Sequence, residues 1–240
     1  MVQLPRLYAI LDAGCFPNAH ALCVAAEELA AAGVTLIQYR NKSGDARIML
    51  EQAGELTRRL ASHFAQNQRE VGHIHSQATL SAPDLAALER PANRVRLIMN
   101  DRADLCLAAD FDGVHVGQDD LSPEAVRKII GWGKHGNARW LGVSTHNPEQ
   151  LREADLTSAD YLAIGPVFVT SSKINPDPIV GLEGVRRARA LTRKPLVAIG
   201  GITRGNAASV IEAGADSVAL ISDLLPDPRK SAEEFLRILR

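Results

Sequence analysis

Residues 195–221 read PLVAIGGITRGNAASVIEAGADSVALI. An aliphatic run (195–199) meets the Gly200-Gly201 pair, a helical stretch (206–213) ends just before Gly214, and a second aliphatic run follows (217–221). The order is strand, glycine turn, helix, strand. Both runs are short, continuous and apolar, which is the pattern of strands covered on both faces in a parallel sheet. Parallel neighbours need a crossover, and the helix between them supplies it.

The same unit recurs toward the N-terminus. Strands are predicted over 7–11, 34–39, 95–99, 113–116, 140–143 and 161–164. The helices that follow them are predicted over 19–32, 45–61, 101–109, 123–130, 148–154 and 182–191, and a last helix over 232–239 follows the 217–221 strand. Asn18 is placed to cap the first helix, Gly33 to end it, and Ser122-Pro123 to open the fourth. Eight strand–helix units in 240 residues match a (β/α)8 TIM barrel, whose usual length is about 250 residues. The competitor is an open doubly wound sheet, and the unit count favours the barrel. Residues 64–93 break the rhythm; they read as an insertion between the second helix and the third strand, with a short helix over 83–89.

The composition fits one large core. Hydrophobic residues make up 46% and charged residues 23% of the chain, values of an ordinary globular domain. Lys and Arg total 27 against 28 Asp and Glu, a net charge of −1; a dedicated nucleic-acid binder would carry a basic excess. No run approaches the roughly 20 apolar residues needed to span a bilayer. The N-terminus has no signal-peptide pattern. Cys15, Cys23 and Cys106 form no C-x-x-C pair and read as incidental thiols of a reducing compartment. A cytoplasmic protein is expected, with no nucleic-acid or membrane partner, and a homo-oligomer remains compatible with the sequence.

In such a barrel the loops after the strand C-termini build the active site, and polar groups crowd that rim. Arg40 and Lys42 alternate on an extended segment and so point the same way. Lys173 sits among hydroxyls on the loop after strand six. Asp101 lies on one loop and Asp119 and Asp120 on the next; such carboxylates can share Mg2+, which binds through one or two of them and takes phosphate and water as its other ligands. Cations beside paired carboxylates suggest a diphosphate–Mg2+ substrate. Gly200-Gly201 and Ile221-Ser222 suggest a second anion site made of bare backbone N–H groups. Taken singly, each motif reads as a turn, a helix cap or a solvated charge, Asp101 and Asp120 included; their convergence on one rim favours function.

Other motifs fail in context. Gly131-x-Gly133-x-x-Gly136 follows a helix and precedes a strand, the reverse of a dinucleotide fingerprint. His73-x-His75 has no Cys, Asp or Glu at metal spacing beyond Glu70 and reads as surface. His115 lies within a strand and reads as a core or inward-facing group, whereas His146 is on the rim, where it can touch substrate or move a proton.

From Tyr8 to the C-terminal helix, the ordered motifs resemble the thiamine phosphate synthase family. They are YAILD (8–12), QYRNK (38–42), Asn100-Asp101, DGVHVGQDD (112–120), LGVSTH (141–146), ADYLAIGPVF (159–168), IGGI (199–202) and GADSVALIS (214–222). The resemblance implies a Mg2+-dependent transferase on a (β/α)8 barrel, joining hydroxymethylpyrimidine diphosphate to thiazole phosphate. It implies that Gln38, Arg40, Lys42, Asn100, Ser144 and Lys173 hold the pyrimidine diphosphate, with Arg40, Lys42 and Lys173 catalytic. It further implies Asp101 and Asp120 as Mg2+ ligands, and Thr170, Ser172, Gly201, Ile221 and Ser222 around the thiazole phosphate. Two positions depart from the family pattern: Val169 stands where proline is usual, and Ser172 where threonine is. The rival readings are a TenI-like thiazole tautomerase, with His146 as acid–base, and a non-catalytic binder of a phosphorylated ligand.

Overall fold

The computed structural model describes residues 2–72, 94–131, 139–170 and 177–240, with the backbone alone for 63–72. Chain order is β1 (Leu7–Asp12), α1 (Ala19–Ala31), β2 (Leu36–Arg40), α2 (Ala46–Gly72), β3 (Arg96–Asn100), α3 (Ala103–Ala108), β4 (Gly113–Val116) and α4 (Pro123–Ile130). It continues β5 (Trp140–Thr145), α5 (Pro148–Asp155), β6 (Tyr161–Ile164), α6 (Gly181–Leu191), β7 (Leu196–Ile199), α7 (Ala207–Glu212), β8 (Ser217–Leu220) and α8 (Pro228–Ile238). Every strand pairs in parallel with the next, and β8 pairs back onto β1, which closes the barrel.

The side-chain period of two divides each strand between two cores. Outward-facing Leu7, Ala9, Leu11, Ile37, Tyr39, Val114, Leu162 and Val218 pack with the helices. Inward-facing Tyr8, Ile10, Leu36, Ile98, Trp140, Tyr161, Ala163, Val197 and Ala219 fill the lumen. A strand buried this way is apolar at consecutive positions, which is why the runs lack polar alternation. At the N-terminal end, Val2 and Leu4 pack against the luminal cluster that contains Trp140. The Arg96 guanidinium lies 4.4 Å from the Trp140 ring centroid, within cation–π range.

Local signals at the helix ends act as expected. The Asn18, Ser122 and Asn147 side chains accept from the backbone N–H of Ala21, Ala125 and Gln150. Gly33 follows α1 at φ 99°, a conformation glycine adopts without the cost of a Cβ. Several boundaries differ from expectation, three of them instructive. Helix α2 continues to Gly72, so the first part of the proposed 64–93 insertion is helix, and 73–93, with His73, His75 and the 83–89 helix, lies outside the described residues. Helix α8 starts at Pro228, where Asp227 accepts from the Lys230 N–H. Strand β2 begins at Leu36, because the Val34 N–H is taken by the Leu29 carbonyl at the end of α1. Cys15 is exposed, whereas Cys23 and Cys106 are buried; burial pushes the Cys106 thiol up to about 12. Among the described residues no helix is long and apolar enough to cross a membrane.

Candidate active site

The lumen opens at the C-terminal ends of the strands into a cavity of about 670 Å³. Gln38, Arg40, Lys42, Asn100, Asp101, Asp120, Ser144, Thr170, Gly201, Ile221 and Ser222 all line it. Ser172 and Lys173 lie outside the described residues, as do Gly133 and Gly136.

One wall is charged. Arg40 ends β2 opposite Asp12, its register partner on β1, and the two side chains form an ion pair. Lys42 pairs with Asp101 across the mouth. The backbone around Asp101 is held by a 2.8 Å bond from its N–H to the His115 carbonyl, and its φ is 62°. That left-handed conformation is uncommon for any residue but glycine, and Asp tolerates it better than most. The following helix is capped at Arg102 without a side-chain bond, so Asp101 does not serve as the helix cap. Burial raises the Asp101 carboxyl above the ordinary carboxylate range; Lys42 opposes the shift, and the charge of Asp120 and a hydrogen bond with it add to it. Of the two candidates on the β4 loop, Asp120 therefore meets Asp101. Asp120 is itself oriented by a 2.7 Å bond from the Gly117 N–H. Asn100 is buried beside this pair, and among the described residues its Nδ2 has no hydrogen-bond partner.

The floor is a chain of hydrogen bonds. Gln38 Nε2 donates to the Tyr8 hydroxyl at 2.9 Å, and the Tyr8 and Tyr161 hydroxyls lie 3.0 Å apart. Tyr161 Oη is 3.1 Å from His115 Nδ1, and His115 Nε2 is 2.8 Å from Ser144 Oγ. His115 is thus the inward-facing buried histidine that its place in a strand suggested. Burial lowers its pKa from 6.5 to about 4, so the imidazole is neutral near pH 7.

The opposite wall is backbone. Gly200 and Gly201 have φ values of 100° and 64°. A Cβ on Gly201 would stand 2.3 Å from the Val169 carbonyl oxygen, so only glycine fits this close approach. The Val169 side chain itself is exposed. Ser222 opens a single 3-10 turn, Ser222–Leu224, just after β8. At the rim, His146 Nδ1 lies 2.6 Å from the Gly165 carbonyl, which it can only approach as a donor, and 3.4 Å from Asp177 Oδ2.

Sequence reasoning missed Asp12, Tyr8, Tyr161 and Gln118, whose Nε2 donates to the Ser144 carbonyl at 2.6 Å. The available signal was parity: Tyr8 shares its face of β1 with Ile10, and Tyr161 its face of β6 with Ala163, so each hydroxyl had to point into the lumen.

The family described as Thiamine monophosphate synthase matches residues 69–224 of the chain. A thiamine-phosphate synthase from Koribacter versatilis (strain Ellin345) is 54% identical over 241 residues, covering 99% of this chain and 97% of that one. A thiamine-phosphate synthase from Chloroflexus aurantiacus is 37% identical over 98% of this chain and 92% of its own. Among solved structures, the thiamine phosphate pyrophosphorylase from Pyrococcus furiosus superposes with a TM-score of 0.74 at 28% identity, over 98% of this chain and 95% of that one. Matched by that family over residues 69–224 and 54% identical to a thiamine-phosphate synthase across 99% of its length, the chain belongs to the thiamine monophosphate synthase family.

Proposed function

We propose that this protein joins hydroxymethylpyrimidine diphosphate to thiazole phosphate, giving thiamine phosphate and free diphosphate. The observation that carries this reading is the gathering of an acidic pair, two cations and a glycine-lined backbone cradle around one cavity. A cavity that only retained a phosphate would gain nothing from Asp101 and Asp120 pressed together.

The same pair fits a hard divalent cation. The two carboxylates come from neighbouring loops and face each other, and burial already opposes the charge of Asp101. Among the described residues no group of three or more His, Cys, Asp or Glu is placed to hold a metal, so the other ligands would be substrate oxygens and water, the usual arrangement for Mg2+. Asp101 and Asp120 would hold it. Once bound, Mg2+ supplies positive charge against the diphosphate oxygens.

The remaining work belongs to side chains. When the C–O bond to the pyrimidine methylene breaks, its electron pair leaves on the diphosphate, and the electron-rich ring stabilises the methylene cation. Arg40 and Lys42 stand at the wall where that negative charge builds, and such groups accelerate only what they bind better in the transition state. Lys173 is assigned the same role from its motif. Asn100 Nδ2, buried without a partner among the described residues, is a donor waiting for an acceptor, and Gln38 and Ser144 complete the pyrimidine side. Thr170, Ser172, Gly201, Ile221 and Ser222 hold the thiazole phosphate, so that the ring nitrogen attacks the cation and forms the C–N bond. The substrates are small phosphorylated molecules, and the reading places the enzyme in the cytoplasm.

The test is the coupling assay with purified protein, with and without EDTA, alongside Asp101→Ala. Thiamine phosphate formed only with Mg2+, and lost by roughly 10²-fold in the variant, is the expected result. Full activity of Asp101→Ala in EDTA would overturn the metal assignment. Thiazole isomerisation without coupling would assign the cavity to tautomerase chemistry through His146, and binding without turnover to a regulator.

A further inference from the structure

The chain of bonds under the cavity has a direction, and the direction is set by residues that the coupling reaction does not consume. A neutral imidazole has one N–H and one bare nitrogen. A hydroxyl has one hydrogen to give. In the run from Gln38 through Tyr8, Tyr161 and His115 to Ser144, Tyr8 could accept from both Gln38 and Tyr161 only by burying its own hydrogen with no acceptor in the run; with every hydrogen used, each group receives from one neighbour and gives to the other. A reversal at any single link would set two hydrogens, or two lone pairs, against each other in a buried place, at the cost of an unmade hydrogen bond.

Gln38 Nε2 gives to Tyr8. Tyr8 must then give to Tyr161, Tyr161 to His115 Nδ1, and His115 must carry its hydrogen on Nε2 and give it to Ser144. Two polar positions are left over at the ends, both on the cavity surface. Gln38 keeps its amide oxygen, an acceptor, and Ser144 keeps its O–H, a donor.

We propose that Tyr8, Tyr161 and His115 are positioning residues that fix this polarity, so that the cavity offers an acceptor at Gln38 and a donor at Ser144, and selects ligands of the opposite pattern. The inference rests on the proposed substrates for its ligand, because an amino group on the pyrimidine gives to Gln38 and a diphosphate oxygen receives from Ser144. The reverse polarity would turn a lone pair of Ser144 toward an anion.

A second observation shows that the relay is built in. Gly142, the register partner of both His115 and Tyr161, leaves the space in which they meet. A Cβ at that position would stand 2.4 Å from His115 Nδ1 and 2.4 Å from Tyr161 Oη. The tyrosines also brace each other edge to face, with ring centroids 6.2 Å apart, a favoured aromatic geometry. Each member sits on a different strand: Tyr8 on β1, Gln38 on β2, His115 on β4, Ser144 on β5 and Tyr161 on β6. The two ligand-facing ends are thus coupled through the barrel itself.

The decisive measurement needs no substrate. Long-range ¹H–¹⁵N correlation of the histidine side chains near pH 7, with the His115 signal identified by its loss in His115→Asn, reports which ring nitrogen carries the hydrogen. The proposal requires Nδ1 bare and Nε2 protonated; hydrogen on Nδ1, or an even mixture, would overturn it. Tyr161→Phe removes the donor to Nδ1 and is expected to give a tautomer mixture. With it, kcat for coupling should fall about tenfold, the worth of one neutral hydrogen bond, while the KM for thiazole phosphate stays unchanged. An unaltered tautomer and kcat in Tyr161→Phe would also overturn the relay. Should that variant not fold, the wild-type spectrum still decides. A protein with the required tautomer but no coupling activity would instead sink the proposed reaction and leave the polarity standing.

Discussion

The two ends of the barrel lumen are built from the same inward-facing positions of the same strands, yet they carry opposite chemistry. At the base, Leu36 and Trp140 begin their strands, Val2 and Leu4 close over them, and the charge of Arg96 lies on an indole ring. Two to four residues further along, the inward positions become Gln38 and Arg40 on β2, Asn100 on β3, His115 on β4 and Ser144 on β5. The base gains stability from every side chain it buries. The rim holds charges half out of water, a carboxyl pushed above its ordinary range, and an Asp at positive φ. The difference teaches that stability and activity are separated along the barrel axis, and substitutions at the two ends should have opposite signatures.

Trp140→Ala should test this separation most severely. Removing a large buried aromatic side chain costs about 3–5 kcal/mol, so the denaturation midpoint should drop sharply while turnover per folded molecule is kept. A Trp140→Ala protein with normal stability and no activity would erase the distinction between base and rim.

His115 gives the next effect, in a pH titration of stability. Its pKa is lowered from 6.5 to about 4, so below 6.5 the unfolded chain takes up a proton that the folded one refuses. The contribution is present in full above pH 6.5 and is lost as pH falls to about 4, amounting to about 3 kcal/mol. His115→Asn should show a correspondingly shallower acid dependence in denaturant midpoints between those two pH values. An identical acid slope in the variant would place the imidazole in solvent contact and blur the line between the two ends.

Asp101→Asn addresses the rim alone. It keeps a residue tolerant of positive φ and deletes a charge that burial opposes. Coupling should fall roughly 10²-fold with a thermal midpoint no lower than that of the parent. A large loss of stability would show that the acidic pair is structural. The smallest expected effect is at Leu4→Ala, where trimming a partly buried side chain over the base should cost about 1 kcal/mol and leave the kinetic constants alone.

The sequence showed most of the architecture because a strand buried on both faces and an amphipathic helix have different periods, and because both are local. Asn18 and Ser122 announced their helices for the same reason. The 64–72 segment misled because it carries good helix formers, Ala65, Gln66, Gln68, Arg69 and Glu70, without an apolar stripe; propensity carries α2 where hydrophobic period gives no signal. The start of α8 had a local signal, Asp227-Pro228, that its apolar period concealed. In the site, Arg40, Lys42, Asp101 and Asp120 were legible because strand parity and loop position place them on one rim. The relay was not, since Tyr8 and Tyr161 meet across 153 positions, and no local pattern encodes which hydroxyls will face each other after closure.

That closure has a temporal side. Strand β1 receives one neighbour from β2, but its other edge is met only by β8, with Ser217 Oγ donating to the Arg6 carbonyl across 211 positions. On a ribosome adding roughly 5–20 residues per second, the first strand emerges about 10–40 s before its last neighbour. Throughout that interval its free edge can template pairing with a stranger. The nascent barrel is an open ribbon until β8 arrives to close it.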